Sequence, residues 1–321
     1  MNPSKKAVVL ILFNRPDLIE QVLDPVRKYA PHRLYLIADG PRADRAGERA
    51  LCDKSRATAI CAVDWPCEII QIFSETNLGC RNRIISGLDE VFRREVDAII
   101  LEDDTVANED FLPYCERMLN AHSDDSRIFS VTGTKLFSRW GQQRSAFLSN
   151  FTHIWGWATW RRSWLKYDRD LNCLGSTQFK IKMNAILTEN HMRHWESVLN
   201  RVKIGEINTW DYQLQASAWI AGAYCITPPK NLVANRGFRS DATHTAKPGI
   251  FADMRTYRLN EKETTVLNTS RSYEWLFQNL FHNSARPLGW LKKCMARFVS
   301  KEKDPSQSRA PFAQHRAKES H

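Results

Sequence analysis

The sequence predicts an α/β fold, a mixed and mostly parallel sheet flanked by helices, and three observations predict it. Through residues 1–135, short apolar runs alternate with segments of helical period. One run, residues 98–101, leads directly into three acids, Glu102, Asp103 and Asp104. Two earlier runs also end in polar residues, Asn14 and Arg15 after the first and Asp39 after the second. Parallel strands bring such residues to one edge. Open α/β sheets bind ligands at the carboxyl edge of their strands.

Residues 7–13 form a near-continuous apolar run, as expected of a strand buried on both faces. Pro16 suits the start of a helix that carries Leu18, Ile19, Val22, Leu23 and Val26. Residues 33–38 are the second strand, stopped by the turn signal Asp39-Gly40-Pro41-Arg42. A helix over about residues 45–63 and a strand over 68–73 follow. Ile84, Ile85, Leu88, Val91 and Phe92 share a helical face ahead of the acid-tipped strand. Asn108, Glu109 and Asp110 make a helix start. Phe111, Cys115, Met118 and Leu119 form the inner face of that helix, and residues 128–132 are the next strand. This rhythm implies right-handed crossovers. The second half changes character. Trp155, Trp157 and Trp160 fall within residues 153–160, and Trp164 follows. Helices are expected over 189–202 and 210–221, with short strands near 224–227 and 232–235. A polar segment holding Gly237, Asp241 and Gly249 comes next.

The 321 residues are 43% hydrophobic, which excludes wholesale disorder, and no apolar stretch has the length of a membrane-spanning helix. Lys5 and Lys6 before an apolar run imitate a signal peptide. The run meets Asn14-Arg15-Pro16-Asp17 with no small-residue cleavage site, and so reads as the first core strand of a cytoplasmic protein. The eight cysteines include no C-x-x-C pair, which argues against a zinc site and a disulfide framework. A net charge of +10 points to an anionic partner. With no zinc-finger or RNA-recognition signature, a nucleotide diphosphate or membrane surface fits better than nucleic acid. Residues 288–299 mix apolar and basic side chains at helical spacing, and from residue 300 the composition is that of a disordered tail. The amphipathic stretch is either an interfacial membrane anchor or a helix packed on the main domain.

Adjacent carboxylates at a buried strand end are costly unless a cation meets them. Mg²⁺ and Mn²⁺ favour carboxylate, water and phosphate oxygens. The alternative is a solvated acidic loop. Arg15 suits a diphosphate or merely caps a turn, and Asp39 suits a base and ribose or merely makes an Asp-Gly turn.

A longer series accompanies these residues. It comprises Asn77-Leu78-Gly79 with Arg81 and Arg83, Asp110-Phe111 after the acids, Ser130-Val131-Thr132-Gly133, Gly156-Trp157 and Trp210-Asp211. In this order the chain resembles GT-A-fold, nucleotide-sugar-dependent glycosyltransferases, especially the inverting N-acetylglucosaminyltransferase I type and related bacterial enzymes. The resemblance covers about residues 7–245. It implies a GT-A domain over residues 1–285, with a nucleotide-binding half (1–135) and an acceptor-binding half (136–285), and a tail over 286–321.

The resemblance also implies roles. Asn14, Arg15 and Asp39 would contact the nucleotide, and Glu102 and Asp103 the base, ribose or donor sugar. Asp104 would ligate Mn²⁺ or Mg²⁺, with diphosphate and water completing the octahedron. Arg81 and Arg83 would add to the positive field, or form a solvated first helical turn. Asp211 would be the general base that deprotonates the acceptor, or would only complement a helix start. Gly156 and Trp157 would wall the donor from the acceptor, or pack in the core, as Trp160 and Trp164 are expected to do. Residues 235–245 would order over the donor, with Arg236 and Arg239 on the diphosphate and His244 near the metal. This loop departs from that of the animal enzymes, and a His in a polar loop is otherwise a surface residue.

The expected activity is transfer of a sugar from a nucleotide diphosphate donor, a UDP-sugar, to a hydroxyl of a glycan or lipid-linked glycan. The resemblance implies inversion, and a place in bacterial lipopolysaccharide, capsule or exopolysaccharide synthesis, in the cytoplasm or peripherally on the inner membrane face. One rival is a sugar-nucleotide nucleotidyltransferase, which would carry a Gly-rich loop where this chain reads Phe13-Asn14-Arg15-Pro16-Asp17. The other is a non-enzymatic basic protein binding membrane or nucleic acid, indifferent to metal and tolerant of Asp104→Ala.

Overall fold

Strand β1 (Ala7–Leu12) is buried along its whole length, and this sets the layering. Val8, Leu10 and Leu12 face one apolar cluster, and Val9 and Ile11 face another, as the two-residue period of a strand dictates. A computed structural model describes residues 5–137, 144–238, 254–260 and 266–281. Helices α1 (Ile19–Tyr29) and α4 (Phe111–Ala121) cover the first face through Ile19, Val22, Val26, Phe111, Cys115 and Met118. Helix α2 (Glu48–Cys61) adds Ala59 to that face. Helix α3 (Gly79–Arg94) covers the second face through Ile84, Ile85, Leu88 and Val91. The four crossover strands are β1, β2 (Arg33–Ala38), β3 (Glu68–Phe73) and β4 (Asp97–Glu102). They pair in parallel in the order β3-β2-β1-β4.

Beyond β4 the sheet becomes mixed. Strand β8 (Trp157–Trp160) runs antiparallel between β4 and β6 (Ile128–Thr132). Strand β9 (Tyr224–Thr227) returns parallel to β6, β7 (Ala146–Ser149) lies antiparallel to β9, and β11 (Val266–Thr269) pairs in parallel with β7. The nine-stranded order is β11-β7-β9-β6-β8-β4-β1-β2-β3. This is the mixed, mostly parallel sheet of the GT-A architecture. A small ribbon of β5 (Thr105–Ala107) with β10 (Val233–Asn235) stands just past the acids.

The remaining helices are α5 (Arg161–Trp164), α6 (Thr177–Ile186), α7 (Glu189–Lys203), α8 (Asp211–Ala221) and α9 (Arg271–Leu276). Helix α8 is apolar on two sides. Leu214 and Ala218 meet the sheet, whereas Ala216 and Trp219 join a third cluster with α6, α7 and Phe277. A helix apolar all round belongs inside a core.

Two expectations are refined. Helix α1 starts at Ile19 rather than at Pro16, because residues 15–18 make a turn closed by Leu18 N–H donating to the Arg15 carbonyl at 3.3 Å. The Gly156-Trp157 segment enters a strand. Its lack of clear alternation hid this, since β8 is sandwiched between two neighbours and buried throughout. The described cysteines form no disulfide. Among the described residues no helix is long and apolar enough to cross a membrane. The tail over 286–321 lies outside the described residues.

Gly156 sits at the turn into β8 with φ of +64°, and a Cβ there would lie 2.7 Å from Val233. Left-handed strain and overpacking therefore coincide. Gly156→Ala should cost about 2–4 kcal/mol, read as a lower urea midpoint at unchanged m-value.

Candidate active site

The acids at the end of β4 are held by the turn that follows β1. The Phe13 N–H donates to Asp103 Oδ2 at 2.8 Å, and the Arg15 guanidinium donates to Asp103 Oδ1 at 2.9 Å. The same Arg15 nitrogen also meets Asp104 Oδ2. From the other side, the Arg236 N–H donates to the Asp104 carbonyl at 2.8 Å. The Thr105 hydroxyl bridges the Glu102 N–H and carbonyl. Gly237 follows, and a Cβ there would fall 2.0 Å from Asp104 Oδ2, so only glycine lets the β10 segment close on the acid.

Charge in this turn is crowded. Burial and the neighbouring carboxylates push Glu102 well above the usual carboxylate range. Burial, then Asp104, raises Asp103 to about 6 against the pull of Arg15. Burial also raises Asp104, with Arg15 opposing. Arg15 is depressed by burial but raised more by Asp103 and Asp104. Glu102 Oε1 is buried with no hydrogen-bond partner.

A cavity of about 660 Å³ opens beside these acids, within the ~300–1,000 Å³ typical of ligand sites. Arg15, Asp39, Arg83, Glu102, Asp103, Asp104 and Asp211 all line it. Of these, Arg83 is the most informative. It is 7% exposed, burial lowers its pKa against the pull of the Asp39 charge, and its guanidinium makes no hydrogen bond or ion pair among the described residues. A buried guanidinium without an anion is costly.

Asp39 faces the cavity with its oxygens already engaged. Oδ1 accepts from the N–H groups of Gly40 and Leu78, both at 2.9 Å. Oδ2 accepts from the Gly79 N–H at 2.9 Å and Asn77 Nδ2 at 3.1 Å. These bonds fill the roughly four acceptor sites of a carboxylate, so Asp39 builds the turn that opens α3 and aims Arg83.

Asp211 opens α8, and its Oδ1 accepts from the Thr209 hydroxyl. Trp157 does not line the cavity. It is 1% exposed and packs on Trp210 with ring centroids 5.5 Å apart, behind the start of α8. Gly156 is likewise behind the surface, against Phe111 and Val233. The aromatic of this segment that reaches the cavity is the half-buried Trp155, which lines it with Ile154.

Other expected residues point elsewhere. Asn14 donates to Glu48 at 3.1 Å. Arg81 donates to the Arg169 carbonyl at 2.5 Å and lies 3.7 Å from Asp170. The Arg236 side chain donates to Gln21 on α1. Arg239 and His244 lie outside the described residues. Arg42, Asn77 and Trp155 line the cavity without having been singled out as site residues. The turn signal at 39–42 and the series containing Asn77 marked the first two, but only the fold brings them to this edge.

Among the described residues no three His, Cys, Asp or Glu side chains are grouped to cage a metal. The cavity nevertheless carries five carboxylates against three guanidiniums, and Glu102 Oε1 is orphaned. This oxygen-rich acid excess fits a hard dication that brings its remaining ligands with it.

No protein-family model and no curated protein matches this chain. Among solved structures, the chain is similar to the mannosyltransferase PcManGT from Pyrobaculum calidifontis in complex with GDP-Man and Mn²⁺, at 15% identity and TM-score 0.35, over 68% of this chain and 70% of that one. It is also similar to HddC from Yersinia pseudotuberculosis complexed with GMP-PN, at 10% identity and TM-score 0.31, over 49% and 77% of the two chains. A third similar structure is a CMP:2-keto-3-deoxy-manno-octonic acid synthetase complexed with CTP, at 12% identity and TM-score 0.36, over 70% and 89%. TM-scores this low give these likenesses no bearing on substrate or chemistry.

Close to Asp211, His153 Nε2 lies 3.0 Å from the Tyr273 hydroxyl, and burial lowers the ring's pKa to about 4. An unfolded histidine titrates near 6.5. Between these values the unfolded chain binds a proton that the folded chain refuses, so His153 makes stability fall as pH drops from about 6.5 to 4. The ring is partly exposed, so the loss should be at most about 3 kcal/mol. His153→Gln should flatten this part of a pH series of urea melts.

Proposed function

We propose that the protein is a glycosyltransferase that takes a sugar from a nucleotide diphosphate donor and passes it to a hydroxyl of a glycan acceptor. The observation that carries this reading is Arg83, a buried guanidinium that makes no hydrogen bond or ion pair among the described residues, in a cavity lined by acids at the carboxyl edge of the sheet. That arrangement asks for a ligand that brings both an anion and a cation, and a metal-bound diphosphate has both. The GT-A architecture agrees with it. Residues 1–135 would hold the nucleotide and 136–285 the acceptor.

Arg83 binds the diphosphate through charge-assisted hydrogen bonds. Arg15 positions Asp103 and Asp104 and screens their repulsion. Asp39 acts as a positioning residue for Asn77–Gly79, where the base or ribose would rest. Asp104 would hold Mn²⁺ or Mg²⁺ together with phosphate oxygens, and the cation supplies neutralisation of the departing diphosphate. Asp211 accepts the proton of the acceptor hydroxyl as its oxygen attacks the anomeric carbon, and the Thr209 hydroxyl orients that carboxylate. Attack opposite the diphosphate inverts configuration, and a UDP-sugar is the donor the resemblance favours. A role for Arg236, Arg239 and His244 at the donor, and a cytoplasmic or inner-membrane place in surface-polysaccharide synthesis, belong to the same reading.

The test is a panel of nucleotide sugars titrated with and without Mn²⁺, followed by calorimetry. One donor should bind in a metal-dependent way, and Asp104→Ala should abolish that dependence. Failure of every donor to bind a folded protein would sink the reading. Arg83→Met should weaken donor affinity by about 10–150-fold, the worth of a charged hydrogen bond of about 1.5–3 kcal/mol. It should leave the melting temperature unchanged or raise it, because the guanidinium is buried, makes no hydrogen bond or ion pair among the described residues, and is favoured only by the charge of Asp39. Asp211→Asn should slow transfer by about 10²–10⁴-fold while donor affinity holds. An unaffected rate would remove Asp211 from the chemistry.

A further inference from the structure

A second, smaller cavity of about 140 Å³ adjoins the first and shares Ile154, Trp155, Asp211 and Tyr212 with it. Its far side comes from Phe277, at the end of the chain's described part. We propose that this cavity takes one sugar ring of the acceptor, and that the segment 270–281 is the element that selects it. The inference rests on the glycosyltransferase reading and adds to it the place and chemical class of the acceptor group.

Three observations carry it. First, Asp211 lines both cavities, so a group held in the second lies beside the same residue that borders the first. Second, the volume lies below the ~300–1,000 Å³ of drug-sized pockets, which suits a single ring rather than a chain. Third, the lining pairs aromatic side chains, Trp155, Trp195, Tyr212 and Phe277, with a carboxylate. Aromatic faces cover the apolar C–H faces of a pyranose while the acid engages a hydroxyl. A purely apolar pocket would not offer the acid, and a phosphate would be repelled by it.

The segment that supplies Phe277 is rigidly tied to the body. Strand β11 pairs with β7 from Val266↔Ala146. Ser270 caps α9 by accepting from the Tyr273 N–H. Glu274 accepts from the Asn150 N–H at 3.0 Å and from Asn150 Nδ2 at 3.3 Å. Tyr273 reaches His153 through its hydroxyl at 3.0 Å. Phe277 then packs against Phe151 and His153, with centroid distances of 4.4 and 4.9 Å. Such anchoring gives a wall a fixed shape, which is what selection among similar sugars needs. Phe277 touches the second cavity and not the first, so its substitution separates acceptor from donor binding.

The experiment uses the full chain with Mn²⁺, and compares wild type with Phe277→Trp, which fills the space, and Phe277→Leu, which removes the ring but keeps much of the bulk. Melting temperature reports that each variant is folded. UDP, GDP and CDP are titrated by calorimetry. Methyl glycosides of glucose, galactose, mannose and N-acetylglucosamine are followed by saturation-transfer NMR. The expected result is glycoside binding to wild type that falls at least about tenfold in Phe277→Trp, about 1.4 kcal/mol. Phe277→Leu should reorder the glycosides, and nucleotide affinity should stay within about twofold, under 0.5 kcal/mol, in both variants. Nucleotide binding without any glycoside binding, or glycoside binding indifferent to both variants, would overturn this inference and leave the proposed function standing. No nucleotide binding to any of the three proteins would overturn the proposed function and the acceptor role with it.

Discussion

The contact between Arg15 and the Asp103–Asp104 pair is the constraint on which the rest of the site depends. It joins the turn after β1 to the end of β4, two neighbouring parallel strands. Three acids in succession at a buried edge repel one another, and desolvation adds to the cost. A single guanidinium, backed by the Phe13 N–H, offsets enough of that cost for the turn to exist. Removing one partner of such a buried pair typically costs about 3–5 kcal/mol, because the other charge is left stranded. The acid excess that remains is not relieved within the described protein. A site that stores uncompensated charge is prepared for a ligand that brings the opposite sign.

Around this contact the fold separates residues that hold from residues that face the cavity. Asp39 spends its acceptor capacity on the Asn77–Gly79 turn and thereby aims α3 and Arg83. Trp157 spends its surface on Trp210 and thereby sets the start of α8 and Asp211. In both cases the conspicuous residue holds a neighbour in place, Asp39 from within the cavity wall and Trp157 from the layer behind it. The pattern has a simple cause. A polar or aromatic group that faces a ligand needs its backbone fixed, and the fixing groups must be buried to be rigid.

In the second half of the molecule one reversed strand is inserted into the parallel sheet. Strand β8 enters antiparallel between β4 and β6, so its leading residues, Ile154 and Trp155, arrive at the edge where β1, β2 and β4 end. The aromatic wall therefore faces the acids because one strand is reversed. Helix α8, buried on two sides, then fixes Asp211 where the two cavities meet.

Much of this was legible in the sequence, for a physical reason. Strands buried on both faces must be apolar throughout, crossover helices must be amphipathic, and a strand end in parallel topology must face the ligand edge, so the fold and the place of Arg15, Asp39 and Asp104 at that edge follow from local pattern and order, whereas Arg83 and Asp211 entered only through the family resemblance. Local pattern carries no record of direction or depth. It did not show that β8 is reversed, that Trp157 is covered while Trp155 reaches the cavity, or that Asn14 and Arg81 turn to Glu48 and Arg169. Nor did it show that a segment near residue 277 closes a cavity begun at residue 136. Those outcomes depend on which surfaces meet across long stretches of chain, and only the tertiary structure decides them.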